Sequence, residues 1–128
     1  MRLIVVRHAH AEPGEPDELR PLSARGRTEA RALGQTLAAR GPSLVLSSPL
    51  LRARETAAAI EKASGAELRI EERLAPGATL EDVLEALDGL EGAIVTVGHQ
   101  PDCSEIVEAL TGRDESFPPA GHVELELG

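Results

Sequence analysis

A chain of 128 residues is long enough for one hydrophobic core and too short for a (β/α)₈ barrel of about 250 residues, so one domain spanning 1–128 is expected. An apolar fraction of 41% and a charged fraction of 27% are ordinary for a globular protein, and one Phe with no Trp or Tyr leaves an aliphatic core with no aromatic platform for nucleic-acid bases. The net charge of −9 also argues against nucleic acid, but residues 1–64 carry net +3 and residues 65–128 net −12, which places the cations available to an anionic ligand in the first half.

In chain order, Leu3-Ile4-Val5-Val6 is a continuous aliphatic run, the pattern of a strand covered on both faces, and it leads directly into Arg7-His8. Ala11 to Asp17, with two prolines and a glycine, is expected to be an irregular loop. Ser23 offers an N-cap to a helix in which Ala30, Leu33 and Leu37 face inward against Arg27, Arg31 and Gln35, with Gly41-Pro42 as its stop. A second short strand over 43–47 is followed by Ser48-Pro49 and a helix carrying Arg52 and Arg54 in its first turns and stopping at Ser64-Gly65. Residues 67–71 alternate polar and apolar, as a strand near a sheet edge does.

Thr79-Leu80-Glu81-Asp82 reads as a capping box, and Leu80, Val83, Leu84 and Leu87 form an amphipathic stripe that ends at Gly89. A third β-branched strand over 93–97 runs into Gly98-His99 and a helix bearing Cys103, Ile106, Val107 and Leu110. Residues 122–127 alternate strictly and predict an edge strand, whose lead-in loop from Thr111 to Gly121 permits either direction. The order βαβαβαβαβ implies a mainly parallel sheet with helices on both faces. Open α/β sheets bind ligands beyond the carboxyl ends of their strands, where Arg7, His8, Arg52 and His99 are expected on one rim.

Two arginines and two histidines on one rim suit phosphoryl transfer, in which the moving group carries negative charge and catalysis is chiefly positioning and electrostatic stabilisation. A neutral imidazole is also a nucleophile near pH 7 and splits the reaction through a phosphohistidine. Arg7-His8-Ala9, the segment Ser48-Pro49-Leu50-Leu51-Arg52-Ala53-Arg54-Glu55-Thr56 and Gly98-His99, together with Arg20-Pro21-Leu22-Ser23-Ala24-Arg25-Gly26, resemble in order the signatures of the histidine phosphatase superfamily. That resemblance implies a phosphoglycerate-mutase-like fold, a three-layer α/β sandwich whose mainly parallel sheet has one antiparallel edge strand. It implies that His8 is the nucleophile and that Arg7, Arg52 and His99 join it in binding the phosphate, with Arg54 out of register.

The short, lidless chain most resembles the small phosphohistidine phosphatases, so the expected substrate is phosphohistidine in a protein, with a small-molecule phosphomonoester as the alternative. Two positions depart from the usual family pattern. Ala9 stands where Gly is common, and Leu74-Ala75-Pro76-Gly77 stands where many relatives carry an acid to protonate the leaving oxygen, leaving Glu12, Glu81, Asp82 and Asp102 as substitutes.

Other classes compete for the same residues. His8-x-His10 resembles a metallohydrolase ligand pair, but only His99 and His122 remain and no acid–histidine cluster accompanies them, so neither metal nor cofactor is expected. A catalytically idle phosphate-binding module is the non-enzyme alternative. Cys103 lacks the arginine of a cysteine-phosphatase loop and is expected in the core. With one cysteine, only four apolar residues before Arg7 and no membrane-length apolar run, the expected location is the cytoplasm, with no membrane partner and an oligomeric state left open.

Overall fold

The computed structural model describes residues 1–128 and arranges them on one five-stranded sheet. Strands β1 (Arg2–Arg7), β2 (Leu44–Ser47), β3 (Glu67–Ile70), β4 (Ala93–Gly98) and β5 (His122–Glu126) lie in the order β3-β2-β4-β1-β5. Four are mutually parallel, and β5 pairs antiparallel with β1, which settles the direction its lead-in loop left open. Both edges fall where alternating sequence placed them, on β3 and β5.

Period-two alternation divides the core between the two sheet faces. Leu3 and Val5 of β1 point to one side, where Leu46, Ile94, Val83, Leu87, Ile106, Val107 and Phe117 join them under α3 (Leu80–Leu87) and α4 (Asp102–Thr111). Ile4 and Val6 point to the other side, against Leu33, Leu37, Ala57 and Ile60 of α1 (Ala24–Ala38) and α2 (Leu51–Ser64). The result is the three-layer α/β sandwich expected from the sequence. Fully burying each Leu, Ile or Val contributes roughly 1.5–3 kcal/mol, so β1, covered on both faces, is a rigid base for the residues at its carboxyl end.

Local signals set the element ends. Ser23 caps α1 by accepting from Gly26 N, and Thr79 and Asp82 close a reciprocal capping box on α3. α1 stops at Ala38, short of Gly41-Pro42, and Leu84 departs from the apolar stripe of α3, being 44% exposed because the helix buries only Val83 and Leu87 fully. Two short 3₁₀ turns, Asp17–Leu19 and Glu72–Leu74, were not anticipated; the first lies at the end of the stretch read as irregular loop. Gly34 has a packing reason, since a Cβ there would stand 2.6 Å from Ala59 O where α1 crosses α2.

Candidate active site

Parallel pairing in the register Arg7 with Gly98 and Ser47 with Val97 brings the next residues, His8, Ser48 and His99, to one edge of the sheet. The backbone around His8 is fixed from several directions. His8 N donates to Gly98 O (3.0 Å), Ala120 N donates to His8 O (3.2 Å), and Ala9 N donates to Thr56 Oγ1 (3.0 Å), which in turn donates to Arg52 O (2.8 Å). Thr56 therefore ties the loop after β1 to the helix that carries Arg52. On the far side of that loop a Cβ at Gly26 would meet His10 O at 1.9 Å, so only glycine lets α1 start against it.

His8 Nδ1 lies 2.7 Å from Ala9 O. A carbonyl only accepts, so Nδ1 carries the proton and the lone pair is on Nε2. Burial, opposed by that hydrogen bond and reinforced by the charges of Arg52, Arg7 and Arg20, lowers the imidazole from the usual 6.5 to about 4, which keeps it neutral at pH 7. His99 stands beside it, with ring centroids 5.2 Å apart. Its Nε2 lies 2.7 Å from Ser48 Oγ, a hydroxyl that can donate to this nitrogen or accept from it and that also accepts from Leu50 N (3.3 Å). With the Ser48 hydroxyl donating to Nε2, the His99 proton is on Nδ1, a buried atom with no partner in the protein. Burial, then the charges of His8 and Arg52, lower His99 to about 3.

Arg7 Nη1 donates to Phe117 O (2.8 Å), and its Nε is the other buried nitrogen without a partner. An unsatisfied buried donor costs about 1–3 kcal/mol, which a phosphoryl oxygen would recover at both atoms. Arg52, 7% exposed, donates from Nη1 to Asp17 O (2.9 Å) and from Nη2 to Asp17 Oδ2 (3.2 Å). Arg54 is exposed on the outer face of α2, among Pro49, Leu51 and Ile70.

The four residues expected on the rim, Arg7, His8, Arg52 and His99, thus converge there. A family model described as histidine phosphatase superfamily (branch 1) matches residues 3–76, which include Arg7, His8 and Arg52. The chain belongs to this superfamily. A sequence relative is an uncharacterized protein of Picosynechococcus, 36% identical over 130 residues that cover 93% of this chain and 76% of that one. Among solved structures, a putative phosphohistidine phosphatase SixA from Agrobacterium tumefaciens superposes with a TM-score of 0.83 at 30% identity, covering 98% of this chain and 90% of that chain. The protein histidine phosphatase SixA complexed with tungstate shares the fold at a TM-score of 0.89 and 23% identity, covering 99% and 88%. The architecture is the phosphoglycerate-mutase-like one, and the chain is a phosphatase.

The remaining sequence candidates do other work. His10 Nδ1 lies 2.7 Å from Ser23 Oγ and its backbone N donates to Glu29, so His10 serves the start of α1, and no three His, Cys, Asp or Glu side chains converge as a metal set. Asp82 is occupied by its capping box, which holds its carboxyl below the usual range. Asp102 accepts from Gly77 N (2.8 Å), while Glu12 and Glu81 are exposed. His122 is exposed on β5. Cys103 is buried, which pushes its thiol up to about 12.

Sequence reasoning did not assign Ser48, Thr56 or Asp17. The first two lie within the motif that suggested the family; Asp17, three residues before Arg20, left no periodic or motif signal. No helix is long and apolar enough to cross a membrane.

Proposed function

We propose that this phosphatase uses His8 as nucleophile, acts on phosphohistidine presented by a protein, and needs no metal ion. The observation that carries the reading is the state of His8: neutral, its proton held on Nδ1 by Ala9 O, its Nε2 lone pair available beside Arg7, Arg52 and His99. In the first half-reaction Nε2 forms a bond to phosphorus as the bond to the leaving atom breaks. The His8 ring becomes cationic, and Ala9 O accepts more strongly from its Nδ1–H. Arg7, Arg52 and His99 Nδ1–H bind the non-bridging oxygens. Water then attacks the phosphohistidine, the P–N pair returns to Nε2, and inorganic phosphate leaves.

Support for a phosphohistidine substrate comes from the proton inventory. The carboxylate nearest the phosphate-binding arginines, Asp17, is held well below its usual range by hydrogen bonds from Arg20 and Arg52, so it stays ionised and has no proton to donate. Alkoxide departure needs a positioned acid worth typically ~10²–10⁴-fold. A substrate imidazole, protonated on its other ring nitrogen, departs as a neutral molecule without one.

The test is a panel of phosphohistidine protein, an aryl phosphate, phosphoglycerate and a sugar phosphate, each assayed with and without EDTA. Phosphohistidine and the aryl phosphate should be hydrolysed much faster than the two alkyl phosphates, and chelation should leave the rates unchanged. A kcat/KM on an alkyl phosphate that equals the others would replace the protein substrate with a small molecule. Loss of activity in EDTA, restored by zinc or manganese, would overturn metal independence.

A further inference from the structure

The cluster formed by Asp17, Arg20 and Arg52 lies against the phosphate pocket, and Arg20 has no part in the chemistry assigned to His8, Arg7, Arg52 and His99. We propose that Arg20 is a third arginine binding the oxygens of the transferring phosphoryl group, and that Asp17 is the positioning residue that clamps Arg20 and Arg52 together. The inference rests on the reading of His8 as phosphoryl acceptor.

The geometry is a fork around one anion. Asp17 Oδ1 accepts from Arg20 Nη1 at 3.0 Å and Oδ2 accepts from Arg52 Nη2 at 3.2 Å. The Asp17 backbone oxygen takes Arg52 Nη1 at 2.9 Å and Arg20 N at 3.2 Å. Two guanidinium groups sharing a single carboxylate keep a net positive charge for a second anion. Each guanidinium has five N–H groups. Arg52 gives two of them to Asp17, and Arg20 gives two, one to Asp17 and one from Nε to Glu12 O at 2.7 Å. Three N–H groups on each arginine are therefore free for phosphoryl oxygens while the clamp is closed.

The base of Arg20 is equally constrained. Ala11 and Leu22 form an antiparallel bridge, and Glu12 N donates to Pro21 O at 2.8 Å, closing the neck of the 12–21 loop beside Arg20. Arg20 also ranks with Arg52 and Arg7 among the charges that disfavour protonation of His8, so its guanidinium is close enough to act on that ring. Asp17 itself is largely solvent-facing, with a side chain 58% exposed against 8% for Arg52. Its carboxylate thus anchors the buried arginine from the mouth of the pocket and leaves the interior side to substrate.

The experiment measures kcat and KM on p-nitrophenyl phosphate, and the inhibition constant of inorganic orthovanadate, for wild type, Asp17→Asn, Arg20→Ala, Arg20→Lys, the Asp17→Asn/Arg20→Ala double variant and His8→Ala. Melting temperatures verify folding, and Arg20→Gln replaces Arg20→Ala if the latter is unfolded. A preorganised donor is worth roughly 10²–10³ in kcat, and a partly exposed one less, so Arg20→Ala should lower kcat/KM by roughly 10–10² and weaken orthovanadate by a similar factor. Arg20→Lys should recover part of both. Asp17→Asn should lower kcat with an unchanged melting temperature, and its effect should be smaller in the Arg20→Ala background than in wild type, because part of what it positions is then gone. Values of kcat/KM and orthovanadate inhibition within twofold of wild type for Arg20→Ala and Asp17→Asn would overturn the inference, as would additive effects in the double variant. His8→Ala separates the two levels: if it keeps turnover, the reading of the whole site fails, whereas an inactive His8→Ala beside unaffected Arg20 and Asp17 variants removes the clamp alone.

Discussion

The ends of β1 and β4 are built alike and finished differently. Each is an aliphatic strand from the centre of the sheet that leads into a histidine, and the two rings stand 5.2 Å apart. At the end of β1 the ring bonds through Nδ1 to the carbonyl of its own neighbour, Ala9, and Nε2 keeps a lone pair. At the end of β4 the ring bonds through Nε2 to a hydroxyl from another strand end, Ser48, and Nδ1 is buried without a partner. One histidine type is thus held by opposite nitrogens, and in the proposed reaction the two rings act as an electron-pair donor and a hydrogen-bond donor to the same small volume. Which nitrogen is tied decides the chemistry, and the tie in each case is a single short contact.

The comparison breaks most easily at His8. His8→Ala should lower kcat by on the order of 10⁴ or more, since no other group takes over a missing nucleophile. Wild type quenched during turnover should carry acid-labile, alkali-stable phosphate on His8. Substantial turnover by the variant, or a phosphoryl group found on His99 instead, would invert the two roles.

A smaller loss is expected at the donors. His99→Ala, Arg7→Ala and Arg52→Ala should each cost roughly 10²–10³ in kcat, the range for one preorganised donor in an electrostatic site. Arg54→Ala should stay near wild type, because that side chain is exposed on the outer face of α2. Equal sensitivity at Arg54 and Arg52 would mean that α2 presents a different face to the substrate.

How far this was legible beforehand depends on whether a feature is a pattern or a contact. The aliphatic runs of β1 and β4 announce buried parallel strands, and a parallel strand delivers its next residue to a common rim, so Arg7, His8 and His99 could be placed together from sequence. The acid–apolar alternation of residues 122–127 marked an edge but not its direction, which is set by the path of the Thr111–Gly121 loop. Leu84 kept helical spacing yet lies outside the core because α3 is short and meets the sheet over a narrow stripe. Asp17 was invisible: its partners are three and thirty-five residues away, and a loop carboxylate has no periodicity to betray a fork. The nitrogen tied on each histidine was equally hidden, being a matter of ring orientation rather than of residue type.

Ser48 sharpens the comparison through a smaller loss. Removing its hydroxyl leaves His99 free to carry its proton on either nitrogen, while the ring itself remains. A net hydrogen bond is worth about 0.5–1.5 kcal/mol, so Ser48→Ala should lower kcat by roughly 2- to 10-fold and leave His8 phosphorylation detectable. A loss as large as that of His99→Ala would make Ser48 itself part of the phosphate-binding surface.

The smallest effect is on stability, and its sign is set by the same burial. Both imidazoles are held below the unfolded value of 6.5, His8 at about 4 and His99 at about 3. Between 6.5 and those values the unfolded chain binds more protons than the folded one, so stability rises with pH across that window. Above 6.5 both states are neutral at these rings and the contribution is flat. Lowering the pH from 7 to 4.5 should therefore lower the melting temperature of wild type by more than that of His99→Asn or His8→Asn, whose amides do not titrate. Carboxylates that protonate at lower pH, such as Asp17 and Asp82, are common to all three proteins and cancel in the difference. His99→Asn should remove more of the slope than His8→Asn, because the His99 ring is pushed further down. Identical slopes in all three proteins would mean that the rings protonate in the folded state as readily as in water, and the neutral His8 on which the nucleophilic reading depends would be lost with them.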